Sequence, residues 1–167
     1  MNNKRLKLFE NAVQNRLMFG FYLLRKLPLG FLAGLRVDHF SYESSVVSVP
    51  YNRLTSNPFR SMYFAPLTMA AELASGLYAL QGVLASETPV SMLVVGMKAE
   101  FMKKARSRVR FKSHDNMAIS AAIAACKHSD EGQEVVVQTS GFDDEGREVA
   151  RFEFHWAFRR KQIQSTQ

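Results

Sequence analysis

The sequence predicts an α+β domain in which a strongly curved antiparallel sheet wraps one long apolar helix, with a further helix at the N-terminus. Three observations carry this. Between Ser61 and Ser86 the only charged residue is Glu72, so a helix there is apolar around most of its circumference and needs cover on most sides. From Pro89 onward one strand-like run follows another. The last of them alternates, with Phe152, Phe154, Trp156 and Phe158 on one side and Arg151, Glu153, His155 and Arg159 on the other. That period of two is what a sheet with one buried face requires. A curved sheet of this kind is the cover the helix needs.

Taken in order, Lys4 to Leu27 reads as one amphipathic helix, with Leu6, Phe9, Val13, Leu17, Gly20 and Leu24 recurring at helical spacing. Pro28, Gly30 and Gly34 then mark a break. Two strands follow, Leu35 to Ser41 and a second holding Val46, Val47, Val49 and Tyr51, with a turn at Tyr42 to Ser44. A polar loop, Asn52 to Arg60, leads to the apolar helix, where Pro66 sits near the first turn and its missing N–H costs nothing. Further strands are expected at Met92 to Phe101, Arg108 to Ala124 and Glu134 to Phe142, with turns at Lys127 to Glu131 and at Asp143-Asp144-Glu145-Gly146. The polar end of the chain should fray. The expected division is a helical extension over 1–34, the main domain over 35–160 and a tail over 161–167.

A chain of 167 residues fits one domain. Its single cysteine, Cys126, forms no internal disulfide, offers no metal-site spacing and reads as a small buried residue. This suits a reducing compartment, and a cytoplasmic location is expected. The net charge of +7 favours anionic partners in general. No nucleic-acid motif or aromatic interleaving accompanies it, so nucleic acid is not an expected partner. The apolar stretch from Leu17 to Leu35 carries Arg25 and Lys26 at its middle and fails as a spanning helix. The N-terminal helix should pack on the domain; lying on an acidic membrane surface is the alternative.

The order of elements is that of the hot-dog fold. The run from Val49 to Gly76, Val-Pro-Tyr-Asn-Arg-Leu-Thr-Ser-Asn-Pro-Phe-Arg-Ser-Met-Tyr-Phe-Ala-Pro-Leu-Thr-Met-Ala-Ala-Glu-Leu-Ala-Ser-Gly, resembles the hot-dog thioesterase superfamily. It is most similar to its thioesterase-like domains of unknown role, related to the phenylacetate-pathway acyl-CoA thioesterases. In those enzymes a loop Asn precedes a helical carboxylate by 15 positions, and Asn57 precedes Glu72 by the same interval. The resemblance therefore implies that Glu72 is the catalytic carboxylate and that Asn57 helps place the thioester or water. Where the family has its first loop Gly this chain has Arg60; Tyr63 stands at the His position, and Phe64 and Ala65 at the paired glycines. Backbone N–H groups survive those changes, so Phe64 and Ala65 remain the implied oxyanion donors. The resemblance also implies a homodimer or dimer of dimers with active sites at the subunit boundary.

Thioester hydrolysis needs a base or nucleophile, donors for the developing oxyanion and a channel for the acyl group. A carboxylate in apolar surroundings has a raised pKa, which suits general-base work near neutral pH. On a helix, Thr68 and Ser75 share the face of Glu72, and Tyr63, Thr68 and Ser75 are candidate pocket residues. Lys104, Arg106 and Arg108 in the basic run 103–112 are candidate contacts for the phosphates of coenzyme A, which would enter as part of the substrate. No separate cofactor or metal is expected.

Each candidate has a plainer reading. Glu72 could be a partly exposed or ion-paired helix residue, Asn57 a turn residue, Tyr63 core or interface, and the basic run a solvated face. The four histidines lie outside the loop and helix, which argues against dehydratase chemistry. The expected function is hydrolysis of an acyl-CoA or acyl-carrier-protein thioester. The alternative is a non-catalytic module that binds an acyl thioester or lipid.

Overall fold

The structure, a computed structural model, describes residues 3–126 and 131–161. Three short helices open the chain: α1 (Asn3–Gln14), α2 (Arg16–Lys26) and α3 (Pro28–Ala33). This corrects the single N-terminal helix expected from periodicity. Asn15 breaks it, because its Oδ1 accepts hydrogen bonds from the N–H groups of Leu17 (3.0 Å) and Met18 (3.1 Å) and so caps a new helix. Pro28 starts α3, where its fixed φ suits the first helical position, and Gly34, at φ 77°, ends it.

Among the described residues six strands form one antiparallel sheet: β1 (Arg36–Phe40), β2 (Ser45–Val49), β3 (Val90–Phe101), β4 (Val109–Ser113), β5 (Gln133–Phe142) and β6 (Glu148–Arg160). Their order is β1-β2-β4-β5-β6-β3. The helix α4 (Phe64–Ala85) lies in the sheet's concave face. Its length and apolar composition match those of a membrane-crossing helix, but here the sheet covers it. Val47, Val49, Val109, Phe111, Val137 and the predicted β6 row of Phe152, Phe154, Trp156 and Phe158 are all buried. The row of side chains expected on one face of β6 is the row that meets the core.

The segment expected as one strand from Arg108 to Ala124 divides into β4 and a helix, α5 (Asn116–Ala125). Ile119 and Ile123, four apart, are the buried side of α5. Ile123 lies against α4 at Gly82, where a Cβ would come within 2.5 Å of its Cδ1. The extension is tied to the domain rather than apart from it. Phe9 and Val13 are buried, the Phe9 and Phe40 rings meet edge to face at 6.0 Å, and Gln81 donates to Glu10 of α1. The expected tail beyond residue 161, and most of the expected turn at 127–131, lie outside the described residues.

One glycine of the sheet gives a direct test of packing. A Cβ on Gly141 would stand 2.4 Å from Cε1 of Phe111, a fully buried ring that itself packs on Phe152. Gly141→Ala is therefore expected to destabilise the fold by about 1–3 kcal/mol through overpacking, measured as a lower midpoint in urea unfolding.

Candidate active site

The loop before α4 is held by its own polar groups. Thr55 Oγ1 donates to the carbonyl of Pro50 and accepts from the N–H of Asn52, while Tyr63 N–H donates to the carbonyl of Thr55. Asn57 is engaged throughout. Its Oδ1 accepts from Phe59 N–H (3.0 Å), Ser61 N–H (3.3 Å) and Ser61 Oγ (3.2 Å), and its Nδ2 donates to the carbonyl of Met62 (3.4 Å). In this state Asn57 shapes the loop.

The same loop contains a residue in a glycine-like conformation. Arg60 has φ 57°, the left-handed region that costs a side-chain-bearing residue about 1–2 kcal/mol. The position that the sequence resemblance aligns with a loop glycine thus has a glycine-like backbone while carrying arginine. Arg60→Gly should leave the thermal midpoint unchanged or slightly raised. Arg60→Val, β-branched, should destabilise by about 1–2 kcal/mol, both read by thermal unfolding.

Helix α4 starts beside this loop without a side-chain cap. Among the described residues no hydrogen bond reaches the N–H groups of Phe64 and Ala65, so both point free donors out of the positive end of the helix. A cavity of about 530 Å³ opens there, lined by Asn57, Tyr63, Phe64, Phe101, Lys103 and Lys104 among others. Tyr63 and Phe64 meet edge to face at 4.7 Å at this cavity, both half exposed.

Glu72 lies farther along the same helix and is half-buried. Among the described residues no hydrogen bond or ion pair reaches its carboxylate, and burial pushes its pKa up to about 7. Its place is shaped by Gly76, where a Cβ would come within 3.1 Å of Glu72 Oε1 and 3.5 Å of Trp156 Cζ2. The carboxylate therefore lies against a bare stretch of helix on the side of β6. Ser75 braces this side. Its Oγ donates to the carbonyl of Glu72 (3.1 Å) and accepts from Trp156 Nε1 (3.2 Å). Thr68 Oγ1 is likewise used, donating back to the carbonyl of Phe64 (3.0 Å).

Eight residues put Glu72 about 12 Å along the axis and about 80° around it from Phe64. One chain thus keeps its free donors and its free carboxylate apart.

The basic run also divides. The chain leaves the sheet at Met102 and returns at Val109, and Met62 N–H donates to the carbonyl of buried Ala105. Lys104 lines the cavity and Arg106 is exposed in the same loop. Arg108 is turned away, its Nη1 donating to Ser48 Oγ (3.2 Å). Arg110 is paired with Asp38 and Asp144. Of the basic run, a pair of lysines therefore lies at the cavity and the arginines lie elsewhere.

A family model described as "Domain of unknown function (DUF4442)" matches residues 16–158. The chain belongs to this family. The DUF4442 match takes in α2 and α3, so these helices lie within the span of the family. No curated protein matches the sequence. Solved structures do. A protein of unknown function from Pseudomonas aeruginosa, PA5026, described as a probable thioesterase, is 19% identical with a TM-score of 0.72, covering 88% of this chain and 97% of its own. A thioesterase from Haemophilus influenzae, HI1161, is 15% identical with a TM-score of 0.59, covering 80% of this chain and 84% of its own. A mutant of the P. aeruginosa thioesterase PA1618 is 18% identical with a TM-score of 0.63, covering 84% and 91%. The DUF4442 chain shares the hot-dog fold of these thioesterase structures, as its sequence pattern predicts.

Three features of the DUF4442 site escaped the sequence reading: the strained Arg60, the bare patch at Gly76 and the Trp156–Ser75 brace. Two had a readable signal: Arg60, which the resemblance aligns with a loop glycine, and Gly76, four after Glu72, since a glycine inside a helix is costly without a packing reason.

Proposed function

We propose that this protein hydrolyses acyl thioesters, with Glu72 as general base. The observation that carries the reading is the isolated, proton-poised carboxylate of an otherwise apolar core helix, in a fold shared with thioesterases. Ionised Glu72 takes a proton from water as the water oxygen attacks the thioester carbonyl. The oxyanion forms against the N–H groups of Phe64 and Ala65. Collapse expels the thiolate, which recovers the proton as the free thiol, and leaves the carboxylic acid. Asn57 acts by holding the loop that carries those donors, and Tyr63 and Phe64 border the acyl channel. Lys103 and Lys104, which line the cavity, would meet the phosphates of coenzyme A or of the phosphopantetheine arm of a carrier protein.

The distance along α4 supports a homodimer, with Glu72 of one protomer serving the donors of its partner. Edge strand β3 supports it too. Met97 and Phe101 lie opposite Phe154 and Ala150 of β6, and both remain about half exposed. An uncovered, unpaired edge of this kind is a template for a second copy. The reaction is proposed for the cytoplasm, where such thioesters and a free Cys126 coexist.

The test is thiol release from short, long and aromatic acyl-CoAs and acyl carrier proteins, wild type beside Glu72→Gln. Turnover lost in a folded variant supports the reading, whereas turnover that persists ends the role given to Glu72. One observation favours the second reading, a non-catalytic acyl-thioester-binding module: bulky Phe64 stands at the mouth where the related enzymes have glycine. Melting shifts with the same thioesters but no thiol release would assign it.

A further inference from the structure

Helix α3 is built inside out for a protein facing water. Its small residues, Gly30 and Ala33, face inward, while Leu29 and Leu32 are 70% and 60% exposed. Adjacent α2 buries Phe19 and Leu23 and presents a second apolar stripe to the outside at Leu17 (85% exposed), Phe21 (61%) and Leu24 (49%), spaced as one helical face. Large contiguous apolar surface of this kind marks an interaction site.

Charge says what the surface meets. Residues 1–36 hold seven basic residues and one acid; the rest of the chain holds fifteen and fourteen. Nearly all of the net charge therefore belongs to this small part of the molecule. Its one acid, Glu10, is occupied by Gln81. Arg16 precedes the apolar stripe of α2 in sequence and Arg25 and Lys26 follow it at the end of the helix, all three exposed, and the Arg25 guanidinium lies 5.9 Å from the Phe21 ring centroid. Between α2, α3 and β1 is a cavity of about 410 Å³, with Leu17, Phe21, Leu24 and Phe31 along it and Arg16 and Arg36 as its cationic residues. Burial and the charges of Arg16 and Arg108 lower the Arg36 pKa, against neighbouring Asp38, which raises it.

We infer that the outer face of α2 and α3 docks on an anionic lipid bilayer, with the leucines and Phe21 in the acyl boundary and Arg16, Arg25, Lys26 and Arg36 at the phosphates. Apolar area and cationic charge on one interfacial helix surface are the two components of such binding. A second copy is a poor occupant, because a two-fold contact would bring the same cations face to face. The open β3 edge offers self-association a different surface.

Co-sedimentation of the full chain with phosphatidylcholine vesicles, with and without phosphatidylglycerol, tests this. Binding is expected only with phosphatidylglycerol, and it should weaken as salt is raised. Phe21→Ser and Leu32→Ser should each lower affinity about tenfold, and Arg25→Glu with Lys26→Glu at least about tenfold. All four side chains are exposed, so these variants should melt as the wild type does. Absence of binding to phosphatidylglycerol vesicles, equal binding to pure phosphatidylcholine, or binding indifferent to these substitutions would overturn the inference. So would self-association in ultracentrifugation that Phe21→Ser and Leu32→Ser abolish, which would give the face to a second copy. Vesicle binding needs no thioester, and cleavage of a soluble short-chain thioester should be unchanged in these variants. Its outcome is therefore separate from that of the hydrolase reading.

Discussion

Glu72→Gln is expected to abolish thioester cleavage and, in the same molecule, to raise stability above neutral pH. Loss of a general base costs about 10²–10⁴ in rate. The stability gain follows from the proton balance. Burial moves the Glu72 carboxyl from an ordinary 4.5 to about 7. Below the ordinary value it is neutral folded and unfolded, and burial carries no ionic cost. As pH rises toward 7 the unfolded chain gives up a proton that the folded chain keeps, so stability falls. The loss is complete above about 7, where it amounts to roughly 3 kcal/mol. Glutamine titrates nowhere in this range. Urea unfolding at pH 5 and pH 8 should therefore show a drop of about 2.5 kcal/mol in the wild type that the variant lacks. In the wild type, kcat/KM should rise with pH through the same region, because only the ionised carboxylate takes a proton. If unfolding shows the difference but turnover survives, the carboxylate is isolated as described and the base lies elsewhere. If turnover vanishes without the difference in stability, Glu72 acts while paired to a group that the single chain does not supply.

That carboxylate was the most legible feature of the sequence, because one charge in an apolar helix stands out against burial energetics alone. The β6 row was legible for the same reason: side chains alternate across a strand, and four large apolar residues in register name the buried face. Local capping was read less well. Asn15 interrupts a periodicity that continues on both sides of it, so spacing alone showed one helix where a side-chain cap makes two. Helix α5 was missed because β4 runs into it without Gly or Pro. Its Ala-rich run and the isoleucines at 119 and 123 were the available signal, and they outweigh the alternation that ends at Ser113.

The site residues divide along similar lines. Asn57 is ambiguous in sequence because Asn-Pro serves a turn as readily as an active-site loop, and here its hydrogen bonds all go to the loop. Lys104 and Arg108 would share a face on an uninterrupted strand. The excursion from Met102 to Arg108 separates them. The outer stripe of α2 was visible as periodicity, with packing on the domain expected and an acidic membrane surface as the alternative. A helix between two apolar environments has two apolar faces, and sequence spacing does not say which of them the protein itself covers.

Phe64→Pro should cut hydrolysis about 10²–10³-fold, the cost of losing one oxyanion donor, while leaving the fold intact. Phe64 is the first residue of α4, where proline is at home, and Tyr63 before it is already extended at φ −68°, ψ 148°. This variant also tests how the site is divided between protomers. If Glu72 serves the donors of its own chain, mixing Phe64→Pro with Glu72→Gln protein restores nothing, since every site lacks one group. If it serves those of the partner, each mixed dimer holds one site lacking both groups and one site lacking neither. The complete site takes its carboxylate from the Phe64→Pro chain and its N–H from the Glu72→Gln chain. Random reassortment makes half the dimers mixed, so activity should return to about a quarter of the wild-type value per chain. Recovery should develop at the rate at which protomers exchange, followed by mixing differently tagged chains. The separation of about 12 Å along α4 between Phe64 and Glu72 favours recovery, because a water molecule and a carbonyl oxygen within one thioester site must lie only about 3 Å from their respective partners.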